Sequence, residues 1–278
     1  MQLTHLSLCT GAGGIDIAAE QAGFQTVGQC EINDYAYRVL CKNFPNVKKW
    51  RDIKDVTIES FRERIGGGRD VPTIISAGFP CQPHSLAGKR FASDDERDLW
   101  GEVARILCEI KPRWFVGENV VGLLTSENGR FFGRVLRDLD EIGYHAAWGV
   151  WGACDVGAIH RRKRIFIIAN SDSVRRSGMD KSKQEQCIRI IKEKFNNTKV
   201  ETRLDVEQIN ILRDGNRALF KYGGESRRND DGLSTGIHRL ECIGNAVMPA
   251  QIYPIFNAIA QIESSYSMMI SDKKDGAE

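Results

Sequence analysis

The sequence predicts an α/β protein built on a mostly parallel β-sheet. Short apolar runs alternate with helical patterns over the first 170 residues, and turn-forming residues follow several of the runs. This alternation favours parallel strands with helices on both faces of the sheet. Functional side chains in such sheets gather at the carboxyl ends of the strands. We therefore expect the functional site at that edge.

The predicted elements follow one another in a regular order. Strands are predicted over residues 3–8, 26–30, 73–77, 114–117 and 165–169, with a further strand ending near residue 52. Helices are predicted over residues 15–22, 36–42, 99–110 and 250–262, with a short amphipathic helix at 188–195.

Three regions are predicted from the change in composition along the chain. Residues 1–170 and 241–263 are expected to form one catalytic, cofactor-binding domain, because strand and helix patterns are confined to them. Residues 171–240 are polar and poor in periodicity, and are predicted to form a small separate region. Residues 264–278 are expected to be a frayed tail.

Charge is distributed unevenly along the chain. Residues 160–240 contain 19 Lys and Arg against 11 Asp and Glu, whereas the remainder contains 20 against 26. A basic segment on an acidic body suggests a polyanionic partner gripped mainly by that segment. An ordinary solvated charged surface is the alternative.

The composition is that of a soluble globular protein, with 41% hydrophobic and 27% charged residues. No apolar run approaches the roughly 18 residues of a membrane span, and no signal-peptide pattern opens the sequence, so we expect a cytoplasmic protein. The eight cysteines form no Cys-x-x-Cys motif. Most lie among apolar residues and are expected to be reduced, buried small hydrophobes, and no metal site is predicted.

A glycine-rich turn at residues 10–14 follows the first predicted strand and opens a helix, so that its backbone can approach a ligand closely. The dinucleotide pattern G-x-G-x-x-G fails here, because Asp16 replaces the last glycine. Glu31 ends the second strand, where a carboxylate can hold ribose hydroxyls. Asp52 and Ile53 follow the next strand, where they can grip a base edge. Together these features suggest an adenosine-containing cofactor other than NAD.

Cys81 lies on a proline-flanked loop directly after the strand at 73–77, with Pro80 before it and Pro83 two residues beyond. This is the position of a nucleophile rather than of a core cysteine, although a structural loop cysteine is the alternative. Glu118 also follows a strand, and burial can hold such a carboxyl protonated so that it acts as an acid. Residues 161–164 are four consecutive cations before the last strand, and some are expected to point into a cleft.

In this order, these pieces resemble the conserved blocks of the cytosine-5 DNA methyltransferase family. The matching motifs are Gly11-Ala12-Gly13-Gly14, Glu31, Asp52-Ile53, Pro80-Cys81-Gln82, Asp98-Leu99-Trp100, Glu118-Asn119-Val120, Arg162-x-Arg164 and Gly244-Asn245-Ala246-Val247. The resemblance covers residues 1–170 and 240–262. It implies a Rossmann-like, S-adenosylmethionine-dependent methyltransferase fold with a small target-recognition region.

The resemblance also implies residue roles. The implied catalytic residues are Cys81, Glu118, Asn119, Arg162 and Arg164. The implied residues at the S-adenosylmethionine site are Thr10, Gly11, Gly13, Gly14, Glu31, Asp52, Ile53, Leu99, Asn245 and Val247. The loop residues Pro80, Gln82 and Ser85 would close over a flipped cytosine. Cys81 would add to C6 of the base while Glu118 hydrogen-bonds N3, and the arginine pair would grip O2, a phosphate or Glu118.

Three departures from the family pattern stand out. Cys9 occupies a position where the family usually has phenylalanine, and His160 replaces the glutamine that opens the arginine block. The recognition region, residues 171–240, is unusually small, which predicts specificity for a short DNA sequence.

Double-stranded DNA is the predicted partner, with a restriction endonuclease system as a possible companion, no membrane, and a monomeric state. Two alternatives stay open. One is the tRNA-methylating branch of the family, although its Cys-Phe-Thr signature is absent from residues 171–240. The other is a catalytically silent nucleic-acid-binding member, which the intact set of predicted catalytic residues disfavours.

Overall fold

The structure is a computed structural model that describes residues 2–65, 71–80, 99–158, 161–171 and 246–275, with side chains of the last segment described to residue 265. Its seven strands are β1 (Thr4–Leu8), β2 (Gln25–Cys30), β3 (Lys48–Trp50), β4 (Ile74–Ala77), β5 (Trp114–Val120), β6 (Tyr144–Trp151) and β7 (Arg164–Ser171). Its α-helices are α1 (Gly14–Gln21), α2 (Asp34–Asn43), α3 (Ile58–Ile65), α4 (Trp100–Ile110), α5 (Arg130–Ile142) and α6 (Pro249–Asp275).

All seven strands belong to one sheet in the order β3-β2-β1-β4-β5-β7-β6. The pairs among β1 to β5 are parallel. Strand β7 inserts antiparallel between β5 and β6. The predicted mostly parallel α/β fold is therefore confirmed. Because β7 runs backwards, its first residue lies at the same edge as the carboxyl ends of β1, β4 and β5.

Helices cover both faces of the sheet. On one face, α3, α4 and α5 pack on a core that includes Leu6, Ile75, Phe115 and Ile167. On the other face, α1 and α6 enclose a second core that includes Ile74, Val116 and Phe166. Neighbouring strand residues alternate between the two cores, because successive side chains of a strand point to opposite faces.

Local sequence explains where several helices begin and end. The side chain of Asn33 caps α2 by accepting hydrogen bonds from the backbone N–H groups of Tyr35 and Ala36. Helix α5 lies between Gly129 and Gly143, whose φ angles of 84° and 95° are left-handed. A left-handed backbone of this kind favours glycine, so the two residues punctuate the helix.

The structure differs from the sequence prediction at several elements. Helices α3 and α5 and strand β6 are not predicted, and β5 extends beyond residue 117 to Val120. Helix α6 continues to Asp275, so residues 264–275 are helical rather than the expected frayed tail. The helix expected at 188–195 and the region 171–240 lie outside the described residues, except Ser171.

The expectation of buried cysteines holds for only part of the set. Cys30 is buried and Cys9 is half-buried, but Cys41, Cys108 and Cys154 are exposed, and all five are free thiols. Cys108 has apolar neighbours in sequence, yet it lies on the outer side of α4. Among the described helices, none combines the length and apolar character needed to cross a membrane.

Candidate functional site

The glycine-rich turn joins β1 to α1 and is fastened to the end of β2. The hydroxyl of Thr10 donates to the carbonyls of Ser7 (3.1 Å) and Cys30 (3.2 Å). This buried side chain therefore connects the turn to β1 and to the last residue of β2. Gly11 and Gly13 have left-handed φ angles of 60° and 88°. No atom of the described residues outside the turn lies within 4 Å of where a Cβ on Gly11 would stand, which leaves open space beside the backbone in the part of the chain that the structure describes.

Glu31 follows β2 and faces the turn with its carboxylate. One oxygen accepts from the backbone N–H of Gly11 at 2.6 Å and the other from that of Asn33 at 2.7 Å. Each oxygen has a second lone-pair direction that these bonds leave unused. The carboxylate is thus held in one orientation beside the open space at Gly11.

Gly14 is the point of closest approach between α1 and the segment that precedes α6. A Cβ on this residue would lie 2.0 Å from the carbonyl oxygen of Val247, a distance that no side chain can tolerate. The first and the last of the family-like blocks therefore meet through a glycine. Val247 itself is buried, at 8% exposure.

A short turn at residues 52–56, here termed the Asp52 turn, follows β3. The Asp52 carboxylate accepts from the backbone N–H of Lys54 at 2.9 Å, and Ile53 is buried. Arg105 on α4 donates to the carbonyls of Ile53 (3.3 Å) and Val56 (3.1 Å). This arginine also pairs with two glutamates on its own helix, at distances of 2.8 and 2.9 Å. Arg105 therefore fixes the turn, a role that sequence analysis did not assign.

Glu118 and Arg164 form a buried ion pair at the carboxyl edge of the sheet. Arg164 Nε lies 2.9 Å from Glu118 Oε1, and the two side chains are 16% and 9% exposed. Glu118 on β5 is paired with Phe166 on β7, and Phe166 lies two residues after Arg164 on the same strand. The side chains of Glu118 and Arg164 therefore point to the same face of the sheet. Burial raises the pKa of Glu118, while Arg164 and then Arg162 act in the opposite direction.

Asn119 ties the end of β5 to the loop that leads to Cys81. Its Nδ2 donates to the carbonyl of Phe79 at 2.8 Å, and its Oδ1 accepts from the backbone N–H of Val120. A Cβ on Gly78 would lie 3.7 Å from Glu118 Oε2. The chain therefore passes beside the Glu118 carboxylate and is held there by Asn119. Cys81 lies outside the described residues, three positions beyond Gly78.

The two ends of the chain between residues 80 and 99 are anchored next to each other. The rings of Phe79 and Trp100 have centroids 5.2 Å apart, and Trp100 also contacts Phe115. The indole N–H of Trp100 donates to Asp138 on α5 at 2.8 Å. Leu99, the residue before α4, is half-buried. The aromatic cluster of Phe79, Trp100 and Phe115 therefore includes a residue close to each end of the segment 81–98, which contains Cys81.

Arg162 precedes β7 and has a left-handed φ of 27°. Its Nη2 donates to the carbonyl of Ala246 at 2.6 Å, so the arginine block contacts the last family-like block directly. Burial lowers the pKa of Arg162, and the charge of Arg164 adds to this effect. Two guanidinium groups therefore lie close to the one carboxylate of Glu118.

A layer of buried polar side chains lies beneath the glycine-rich turn. The Asp16 carboxylate of α1 accepts from Gln29 Nε2 at 3.0 Å and from the Ser7 hydroxyl at 3.3 Å. Burial raises the pKa of Asp16 to about 7. His5 lies in the same face, with Nε2 2.7 Å from the Ser76 hydroxyl, and burial lowers the pKa of His5 to about 3. In the sequence, Asp16 is noticeable only as the residue that breaks the dinucleotide pattern.

The departure at Cys9 is visible in the structure. Cys9 adopts a left-handed φ of 50° and is half-buried at the end of β1. Burial, with Glu31 as a second cause, raises the pKa of the Cys9 thiol to about 12. This cysteine is therefore kept neutral and is no second nucleophile.

The predicted site residues fall into three groups, one of which holds the remaining residues of the glycine-rich turn, the Asp52 turn and the start of α4: Thr10, Gly13, Asp52, Ile53 and Leu99. A chain of contacts at one edge of the sheet joins Gly11, Gly14, Glu31, Pro80, Glu118, Asn119, Arg162, Arg164 and Val247, either directly or through a neighbouring residue. Cys81, Gln82, Ser85, His160 and Asn245 lie outside the described residues. Within the described chain, no group of three or more His, Cys, Asp or Glu side chains is arranged to hold a metal ion.

Comparison with known proteins agrees with this arrangement. A sequence profile of the C-5 cytosine-specific DNA methylases matches residues 3–222. Type II methyltransferase M.NgoMIV of Neisseria gonorrhoeae is 35% identical over 169 residues, which cover 61% of this chain and 52% of that protein. Type II methyltransferase M.NgoBI of the same organism is 36% identical over 172 residues, 61% of this chain and 51% of that protein. The chain thus spans about half the length of these curated relatives.

Solved structures show the same architecture. A prophage-encoded DNA modification methyltransferase of E. coli superposes with a TM-score of 0.54 at 25% identity, covering 63% of this chain and 48% of that one. DNMT2 of Spodoptera frugiperda superposes with a TM-score of 0.51 at 23% identity, over 62% of this chain and 50% of that one. The second likeness concerns the fold alone.

Proposed function

Because the chain belongs to the C-5 cytosine-specific DNA methylase family, we propose that it is a DNA (cytosine-5)-methyltransferase that takes its methyl group from S-adenosylmethionine. The observation that carries the proposal is the buried Glu118–Arg164 pair beside a loop that Asn119 holds in place. An acid, a pair of cations and a cysteine-bearing loop at one edge suit addition to a pyrimidine ring.

The residues around the glycine-rich turn fit an adenosine-containing methyl donor. The open space beside Gly11 adjoins the oriented Glu31 carboxylate, which has lone pairs for two ribose hydroxyls. We expect the Asp52 turn to hold the adenine side, since Arg105 keeps it close to α4. When bound, the cofactor supplies an electrophilic methyl group.

In the proposed mechanism, the residues of the chain make cytosine C5 nucleophilic. The Cys81 thiolate adds to C6, and the protonated Glu118 carboxyl hydrogen-bonds N3 to neutralise the charge that develops there. Burial raises the pKa of Glu118 and so favours the protonated acid that this step needs. After methyl transfer to C5, loss of the C5 proton and elimination of Cys81 release the product.

The base must leave the duplex before this chemistry can start, because C6 is hidden in a stacked helix. We propose that Pro80, Gln82 and Ser85 close over the flipped cytosine. Arg162 and Arg164 would hold the base oxygen, a phosphate, or the Glu118 carboxylate. Specificity for a short sequence would come from residues 171–240, and the names of the relatives suggest a restriction–modification setting.

A methyl-transfer assay tests the proposal. Purified chain is incubated with labelled S-adenosylmethionine and either double-stranded DNA or tRNA, and we expect label in DNA. Cys81→Ser is expected to abolish transfer while leaving cofactor binding nearly intact, and Cys108→Ser, at an exposed free cysteine on α4, is the matched control. DNA that contains 5-fluorocytosine is expected to remain covalently attached to the wild-type chain, because fluorine takes the place of the C5 proton and cannot leave as a cation, so that Cys81 is not eliminated from C6.

The possible outcomes separate the alternatives. Label in tRNA alone would contradict the DNA assignment and support the tRNA-methylating branch. The absence of label in any nucleic acid would support the silent binding protein. Retained transfer by Cys81→Ser would remove Cys81 from the mechanism. DNA affinity measured against salt concentration tests the basic segment, since neutralising its cations is expected to flatten the salt dependence.

A further inference from the structure

The backbone of Arg162 is held in a conformation that its sequence does not favour. A non-glycine residue with a φ of 27° is uncommon and costs conformational energy. Such a residue persists only where the surrounding structure fixes it, and it often marks a functional site. The contacts that hold Arg162 therefore merit a functional explanation.

A fully buried glutamine in the first turn of α6 makes those contacts. Gln251 Nε2 donates to the carbonyl of Arg162 at 2.9 Å and to the carbonyl of Trp151 at 3.3 Å. In return, the indole N–H of Trp151 donates to the backbone carbonyl of Gln251 at 2.9 Å. One side chain thus joins α6, the end of β6 and the start of β7.

The strand ends that Gln251 contacts, here termed the β6–β7 wall (residues 151–153, 161–162 and 166), are closely packed. The Trp151 ring stacks on Phe166 with centroids 4.1 Å apart and planes inclined by 21°. Next to Arg162, the carbonyl of Arg161 accepts from the backbone N–H of Ala153 at 2.7 Å and would lie 2.5 Å from a Cβ on Gly152. Close contacts therefore hold the backbone on both sides of this peptide: Ala153 and Gly152 at the Arg161 carbonyl, and Gln251 at the Arg162 carbonyl.

We infer that Gln251 is a positioning residue, which fixes the backbone of Arg162 so that the guanidinium stays beside Ala246 and close to Glu118. This inference rests on the proposed function of the arginine pair. Phe166, on which Trp151 stacks, is the register partner of Glu118. The β6–β7 wall therefore contacts both the strand that carries Glu118 and the backbone of Arg162. Gln251 would act through Arg162 and would not touch the substrate.

The test begins with Gln251→Met, which keeps the volume of the side chain but removes both donors. We expect kcat for DNA methylation to fall at least tenfold, while the KM for S-adenosylmethionine changes less than twofold. The matched control is Glu263→Gln on the same helix, where the carboxylate binds Trp114 Nε1 and Arg113 at the opposite edge of the sheet. That variant is expected to lose stability and retain kcat.

A double-mutant cycle separates positioning from general destabilisation. If Gln251 acts only through Arg162, Gln251→Met is expected to cause no further loss of kcat in an Arg162→Ala background. Multiplicative losses would overturn the inference, and so would an unchanged kcat in Gln251→Met itself. If the methionine variant fails to fold, Gln251→Asn replaces it, because its amide is one methylene shorter and is drawn back from both carbonyls without placing a charge in the core.

Limited trypsin digestion provides a measurement that does not depend on activity. Cleavage after Arg161, Arg162 or Lys163, followed by mass spectrometry, is expected to be at least tenfold faster in Gln251→Met than in the wild type or in Glu263→Gln. Equal cleavage rates would overturn the inference even if the wild type methylates DNA. If the wild type methylates nothing, the proposed function fails, and the digestion still decides whether Gln251 fixes this backbone.

Discussion

Asp16 provides a quantitative test of the buried polar layer that supports the glycine-rich turn. The carboxyl is fully buried in the first turn of α1 and its pKa is raised from 3.8 to about 7 by burial. In the folded chain it therefore keeps its proton at pH values where the unfolded chain has released it. Asp16→Asn keeps the shape and the hydrogen bond from Gln29 but removes the titration.

The sign of the effect follows from proton linkage. A carboxyl whose pKa is raised on folding contributes stability that is fully present below pH 3.8 and is lost as the pH rises to about 7. At about 1.4 kcal/mol per pH unit, the two units between pH 5 and pH 7 correspond to roughly 3 kcal/mol. Relative to the wild type, Asp16→Asn should therefore gain about that much stability between pH 5 and pH 8.

The difference between the two proteins must be measured, because His5 titrates in the opposite sense. Burial lowers the pKa of His5 from 6.5 to about 3, so its contribution to stability grows as the pH rises through this window and masks the trend in the wild type alone. Urea unfolding of the wild type and the variant at pH 5, 6, 7 and 8 gives the difference directly.

The matched control is Asp34→Asn, since Asp34 occupies the first turn of α2 but its side chain is 87% exposed. A pH-dependent gain as large in this variant as in Asp16→Asn would mean that burial of the carboxyl is not its cause. A difference for Asp16→Asn that stays flat from pH 5 to pH 8 would refute the reasoning, since it would mean that Asp16 is ionised in the folded state throughout.

Two further predictions concern the site itself. Arg164→Met leaves the Glu118 carboxylate buried without its closest cation and should destabilise the fold by about 3 kcal/mol. Adding Glu118→Gln to this variant should restore most of the lost stability. Additive losses of the two substitutions in urea unfolding would contradict this. Arg105→Met removes two hydrogen bonds to the Asp52 turn and should raise the KM for S-adenosylmethionine about tenfold, or about 1.4 kcal/mol, with little change in kcat. Arg137→Met, at an arginine that is 63% exposed on α5, is its control, and an equal rise there would contradict the assignment.

Residues that carry chemistry were predictable where they follow a strong local signal. Glu31 and Glu118 each follow a predicted strand, and the structure places both at the carboxyl edge of the sheet. The helix at Arg130–Ile142 also carried a signal, since apolar residues recur at helical spacing between Gly129 and Gly143. Strand β6 did not, because it is an edge strand in which exposed and buried positions follow no strict alternation.

The residues that support the site could not be predicted from the sequence, because their partners lie far away in the chain. The sequence pattern predicts that Arg105 is a surface residue, because Glu102 and Glu109 lie at helical spacings that suit exposed ion pairs. Its bonds to the Asp52 turn span about 50 residues and depend on how α4 packs. No local pattern in one sequence reports such a contact, and the same holds for Gln251.

The last family-like block joins the two halves of the site. Val247 meets Gly14 at the proposed cofactor side, Ala246 accepts from Arg162 at the proposed base side, and the first turn of α6 follows at once. A substitution that moves this segment would therefore disturb both halves together, whereas Gln251 lies past it and its side chain donates to the carbonyls of Trp151 and Arg162. This geometry is why a selective loss of kcat is expected from Gln251, and why Gly14→Ala, which forces Val247 away, should instead weaken cofactor binding and catalysis together.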